Sequence, residues 1–290
     1  MSTTRTFLVV AGAALLVGAV AGCAPEDEDP PATDPTAADA CAAEQLPTRE
    51  PGILTVGTDN PAYPPWFVDN EPSNGEGFES AVAYAVAEQL GFDQDSVAWT
   101  QVTFNNAIAP GPKDFDFDIN QFSITDERRQ AVDFSSPYYD VRQAVIALAD
   151  SPIADAASVA DLADATLGAQ VGTTSYRTIT EVVQPDPEPA VYNSNDDAKA
   201  ALQNGTIDGL VLDLPTAFYM TAAEIEDSVI VGQLPQPSGG EIEQFGLVLD
   251  QDSPLTGCVS QAVDALRDDG TLAQLEQQWL AQVADAPELS

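Results

Sequence analysis

Between Asp114 and Asp140 the chain reads DFDFDINQFSITDERRQAVDFSSPYYD, and two of its few cations, Arg128 and Arg129, follow a Ser123-Ile124-Thr125 step. The whole sequence carries 9 Lys and Arg against 47 Asp and Glu, and no histidine. A guanidinium grips a planar carboxylate with two parallel hydrogen bonds, so an arginine behind a strand-like run, preceded by hydroxyl donors, suits an anionic group of a small molecule. In so acidic a chain, Arg128 either pairs with Asp126 or Glu127 or holds a ligand; Arg129 is read as the surface partner of those acids. With no histidine for acid–base work, no Cys/His metal spacing and no nucleophile elbow, the chemistry expected is binding without catalysis. No cofactor and no metal are expected.

The elements that would position these residues alternate. Strands are expected at 52–58, 97–102, 115–122, 141–148, 166–171, around Val191, at 207–212, 229–234 and 245–249. Helices are expected at 80–90 with a Gly91 stop, 105–110, 158–163, 174–183, 195–204, 214–224, 254–268 and 271–283. Such alternation argues for parallel sheets flanked by helices, an α/β architecture. About 250 residues follow Cys41, enough for two lobes. The expected division is 47–142 plus 243–290 for the first lobe and 143–242 for the second. Ligands of such sheets lie where strand ends and helix starts meet, which places Gly57-Thr58-Asp59 and Gly172-Thr173-Thr174 at the cleft.

The ends of the chain speak to compartment. Arg5 followed by the apolar run 7–20 reads as a signal peptide over 1–22, too short and too rich in Gly and Ala for a membrane span. The run ends at Ala21-Gly22-Cys23, a loose lipobox, so Cys23 is expected to carry lipid and anchor the chain outside the cytoplasm; the alternative is a secreted protein with Cys23 untouched. Residues 23–46 read as that lipidated cysteine and an acidic Pro/Ala-rich tether. If Cys23 is lipidated, Cys41 and Cys258 remain as a pair for one disulfide in an oxidising compartment, the alternative being two buried thiols. The formal net charge of −38 argues against nucleic acid and anionic membrane surfaces as partners. A monomer is expected.

Four ordered stretches carry a resemblance: Val56-Gly-Thr-Asp-Asn-Pro-Ala-Tyr-Pro-Pro65, Phe122-Ser-Ile-Thr-Asp-Glu-Arg128 running on to Asp133-Phe-Ser-Ser-Pro-Tyr138, Val171-Gly-Thr-Thr174, and Ile207-Asp-Gly-Leu-Val-Leu-Asp213. Together they make the chain similar to the polar amino acid solute-binding proteins (family 3), extracellular receptors of ABC importers. The resemblance implies a two-lobed periplasmic-binding-protein-like fold of type II, a ligand cleft between the lobes, an amino acid ligand and a permease partner. It implies that Arg128 takes the ligand α-carboxylate, that Asp213 takes the α-ammonium with Asp59 as a second candidate, and that Tyr63 and Phe104 stack on the ligand side chain. Ser123 is expected to present its hydroxyl, Gln121 and Phe122 their backbone, and Thr173 and Thr174 the amides of a helix start. Helix capping is the alternative for Asp213 and for the threonines, and packing for the aromatics, with Trp66 assigned to packing under Pro64-Pro65. Ala81-Val82 stand where the family often has an acid, Asn120-Gln121 are larger than usual, and Arg142 is expected either to contact an anion or to pair with Asp140. The rival functions are a dehydratase-like enzyme on this scaffold, a cell-wall lyase, or an extracellular sensor.

Overall fold

The computed structural model describes residues 41–236, 242–281 and 286–290. The signal peptide, Cys23 and most of the tether lie outside the described residues. No helix among those described is long and apolar enough to cross a membrane.

In chain order the strands are β1 Leu54–Thr58, β2 Val97–Gln101, β3 Phe117–Asp118, β4 Asp133–Phe134, β5 Tyr139–Val141, β6 Gln143–Leu148, β7 Leu167–Gln170, β8 Ala190–Tyr192, β9 Gly209–Asp213, β10 Ser228–Gln233, β11 Glu243–Phe245 and β12 Val248–Leu249. They form two five-stranded sheets, in the orders β2-β1-β3-β12-β4 and β10-β6-β9-β7-β8, and a two-stranded ribbon of β11 with β5. Each large sheet heads one lobe, and the ribbon lies where the chain passes between them.

Both sheets are mixed, a correction to the parallel sheets expected. β12 runs antiparallel to β3 and β4, and β6 runs antiparallel to β9 and β10. Helix alternation cannot report this, because the antiparallel strands are those that follow a crossing between lobes. The strand expected at 115–122 is only two residues long, since the Asp116 side chain, rather than a strand neighbour, takes the N–H of Arg49 (2.8 Å) and of Thr55 (2.7 Å). The strand expected at 245–249 is split between the ribbon and the first sheet. The helices expected at 174–183 and 214–224 each begin as α and finish as a π-turn.

The first lobe packs around Trp66, which is fully buried and meets Phe78, Tyr139 and Phe245 edge-on at 5.7–6.1 Å. Its helix Phe78–Gln89 starts at Gly77 with φ +98°, and a Cβ there would lie 2.4 Å from the Trp66 carbonyl oxygen. Only glycine permits that approach. In the second lobe, β6 is apolar at successive positions because both its faces are covered. Val145 and Ala147 pack with Ile179 and Leu162, while Ala144 and Ile146 pack with Leu202 and Leu214.

Cys41 and Cys258 are joined by a disulfide across a sequence separation of 217, tying the start of the described chain to the helix Thr256–Asp268 of the first lobe. The chain finishes on the other lobe. After the helix Thr271–Trp279, residues 286–290 lie along β10, with Gln233 N–H donating to Pro287 (2.7 Å) and Leu289 N–H to Gln233 (2.9 Å). Leu289 is buried in the second lobe's core.

Candidate functional site

A cavity of about 60 Å³ lies between the lobes. From the first lobe it is lined by Asp59, Tyr63, Phe104, Gln121, Ser123 and Arg128; from the second, by Thr173, Thr174 and Asp213. Nine of the ten residues expected at the ligand site therefore share one cavity. Phe122 is the exception. It is fully buried behind Phe104, stacked at 4.9 Å, and its carbonyl accepts from Gly246 N–H at 3.0 Å.

Arg128 ends a short turn after Thr125, whose hydroxyl accepts the Arg128 N–H at 3.1 Å. Its guanidinium is buried over the Phe104 ring, 5.3 Å from the centroid. It donates to the Ser123 carbonyl at 2.7 Å and, across the cleft, to the Gly172 carbonyl at 2.9 Å. Gly172 has φ +76°, the left-handed turn that ends β7. Among the described residues neither Asp126 nor Glu127 is an ion-pair partner of Arg128, and Arg129 lies over Phe134 rather than beside an acid. Carbonyl partners leave a cation's charge uncancelled. Burial accordingly lowers the Arg128 pKa to about 10, with Glu243 the largest influence against the shift.

Asp213 closes β9 and faces the cavity from the second lobe. Its carboxylate does not cap the following helix; it accepts from Gln143 Nε2 at 2.7 Å. Burial, and then the Glu243 carboxylate, push its pKa up to about 8. Glu243 stands on β11 and accepts from Ser123 Oγ at 2.6 Å and from Gln143 Nε2 at 3.3 Å. Two carboxylates thus share one amide donor at the base of the cleft. A cationic group arriving at Asp213 would free the proton that burial favours there.

The remaining positions are held firmly. Asp59 accepts the Phe104 N–H at 2.9 Å, which fixes that ring at the cavity wall. Tyr63 is half-buried, and burial first, then the nearby Asp196 carboxylate, raise its pKa. Thr173 caps the helix Thr174–Thr178, accepting from Tyr176 N–H at 3.3 Å, as the capping alternative required. Thr174 Oγ1 meets Ser123 Oγ across the cleft at 3.1 Å. Trp66 does more than pack: its indole N–H donates to Thr216 Oγ1 of the second lobe at 2.8 Å.

Three groups escaped the sequence reading. Glu79, on the first turn of the helix Phe78–Gln89, is one. It is fully buried, accepts the Gln121 N–H at 2.7 Å and the Tyr138 hydroxyl, and is raised to about pKa 7 by burial. It thereby holds Gln121 at φ +49° and takes the backbone donor that had been expected to reach a ligand. Gln143 and Glu243 are the other two. A glutamine opening an otherwise apolar strand and an acid at the return crossing were the available signals. Arg142 neither reaches an anion in the cleft nor pairs with Asp140; it meets Glu288 at 3.3 Å in the open.

Known proteins resemble the chain in sequence and in fold. The chain is 29% identical to a probable histidine-binding protein of Campylobacter jejuni, covering 75% of this chain and 80% of that one. It is 28% identical to an L-arginine-binding protein of Pseudomonas aeruginosa, covering 76% and 85%. A solved ancestral arginine-binding protein bound to arginine superposes with a TM-score of 0.64 at 28% identity, covering 79% of this chain and 98% of that one. The fold is that of a type II periplasmic binding protein, and the relatives are binding proteins rather than enzymes. The family model for bacterial extracellular solute-binding proteins, family 3, matches residues 54–282, and the chain belongs to that family.

Proposed function

We propose that the protein captures an amino acid outside the cytoplasm and delivers it to the permease of an ABC importer. The observation that carries this reading is that Arg128 and Asp213, a cation and an acid, face one cavity from opposite lobes. The α-carboxylate would sit on the unused donors of Arg128 with Thr174 beside it, and the α-ammonium on Asp213, with Glu243 behind it. A zwitterion in this orientation contacts both lobes, so its binding energy would favour closure.

The side-chain end, with Asp59, Tyr63 and Phe104, is aromatic and acidic, a combination that favours a cation. Among the described residues, Arg128 is the only cation lining the cavity, against the acids Asp59 and Asp213. The names of the arginine- and histidine-binding relatives point the same way. Arginine, lysine or histidine is therefore the expected ligand.

A thermal-shift titration of residues 24–290 against the twenty amino acids tests this. A large rise with the basic three is expected; a rise only with acidic or aliphatic amino acids would overturn the side-chain assignment, and no rise at all would overturn the receptor reading. Repeating the titration at several pH values tests the ammonium site. Asp213 has a folded pKa of about 8, above the unfolded carboxylate range of about 3.9. Its contribution to stability is therefore full below the unfolded value and is lost as pH rises toward 8. Ligand binding has the opposite trend, because the ammonium needs the ionised acid. Affinity should rise by up to about tenfold per unit between pH 6 and 8, with a proton released; a flat profile would remove Asp213 from the ammonium site.

Residues 1–22 as a signal peptide, a lipid on Cys23 and a monomeric state belong to the same proposal. The first two rest on the Ala21-Gly22-Cys23 step and the Pro/Ala-rich tether. The mass of the N-terminal peptide recovered from membranes decides the anchor: an unmodified Cys23 excludes it.

A further inference from the structure

A second opening, a groove of about 580 Å³, runs along the rim of the cleft on the far side of Arg128. The first lobe contributes Thr125 and Arg128 to it, and the second contributes Thr173, Tyr176, Arg177 and Thr180. Arg177 is not among the residues that line the inner cavity.

The charges in this groove are unusual for the chain. Among the described residues, Arg49, Arg142, Lys199 and Arg267 each meet a carboxylate at 3.3 Å or less. Arg128 and Arg177 do not, nor do Lys113 and Arg129, which lie outside the groove. The Arg177 Nε is buried with no hydrogen-bond partner. That Nε has no surface open to the groove, so an acceptor there would meet the terminal nitrogens of a guanidinium whose charge no carboxylate of the chain cancels. The two guanidiniums also feel each other: Arg177 is one of the charges that depress the Arg128 pKa. Glu127 and Glu181 reach the groove too, but both are exposed and neither comes within ion-pair distance of either arginine.

We propose that this groove is an accessory anion site, in which a small oxyanion, a carboxylate or a phosphate, bridges Arg128 of the first lobe and Arg177 of the second. Planar guanidiniums suit two-oxygen acceptors. Because each lobe supplies one arginine, occupancy favours the closed arrangement. The anion is then a co-ligand of the solute, and each raises the affinity of the other by the same factor.

The test titrates sodium phosphate and sodium acetate separately into the soluble protein, with sodium chloride at matched ionic strength as the control that removes general screening. A saturable rise in unfolding midpoint above the control is expected, about 3 °C at tenfold excess over the dissociation constant. Arg177→Gln should abolish that excess while leaving the response to the amino acid ligand, and the ¹⁵Nε resonance of Arg177 in the unmutated chain should move with the same midpoint. The more effective probe identifies the oxyanion. A rise that sodium chloride reproduces, an unchanged response in R177Q, or a stationary Arg177 resonance would each overturn the site. Failure of the amino acid response in the unmutated chain would count against the receptor reading instead, so the two failures are distinguishable.

Discussion

Replacing Arg128 by alanine is expected to abolish capture of the amino acid while leaving a folded protein. Truncating one side of a desolvated charge pair costs about 2–5 kcal/mol, a loss of about 30-fold to several thousand-fold in affinity. The fold should tolerate the change, because burial already works against this cation, as its lowered pKa records. What the variant loses structurally is one tie between the lobes, the bond to the Gly172 carbonyl. Arg128→Lys separates charge from shape: it keeps the cation but not the planar fork, and should recover only part of the binding. Isothermal titration with the ligand identified by the panel decides the matter. Near-native affinity in a folded R128A protein would remove the arginine from the ligand site.

The second large effect concerns stability rather than binding. Converting both Cys41 and Cys258 to serine opens a loop with a sequence separation of 217. Loop-closure entropy puts the loss near 5 kcal/mol, with native cross-links in practice costing about 2–5. At about 2–4 °C per kcal/mol for a chain of this size, the unfolding midpoint should drop by about 5 to 20 °C. Neither cysteine lines the interlobe cavity, so ligand affinity at low temperature should be unchanged. Calorimetry of the double variant checks this, and a midpoint within a degree of the parent would contradict it.

How much of this was legible in the sequence depended on whether a residue's role was set locally. The helix at Gly91 stops where a left-handed glycine stops it, and β6 could be read from an apolar run that needs cover on both faces. Arg128, Ser123, Thr174 and Asp213 stood in strings whose order alone marked them. Residues whose roles depend on distant partners could not be read that way. Glu79 matters because Gln121 and Tyr138 converge on it, 42 and 59 residues away. Glu243 matters because the return crossing brings it to Ser123 and Gln143, separations of 120 and 100. Direction of strand pairing was hidden for the same reason, since β12 and β6 take their orientation from the crossings rather than from their own composition.

The placement of residues 286–290 along β10 bears on when the protein can fold. Leu289 fills a position in the second lobe's core against Gly232. The first lobe, for its part, takes β12 and the helices Thr256–Asp268 and Thr271–Trp279 from sequence synthesised after the second lobe's strands. The first lobe therefore cannot be complete on a growing chain until residues near 280 have left the ribosome, nor the second until those near 289 have. An export route that threads the chain while it is being made would gain from that delay, since the late-made segments withhold the finished core from both halves until synthesis nears residue 280.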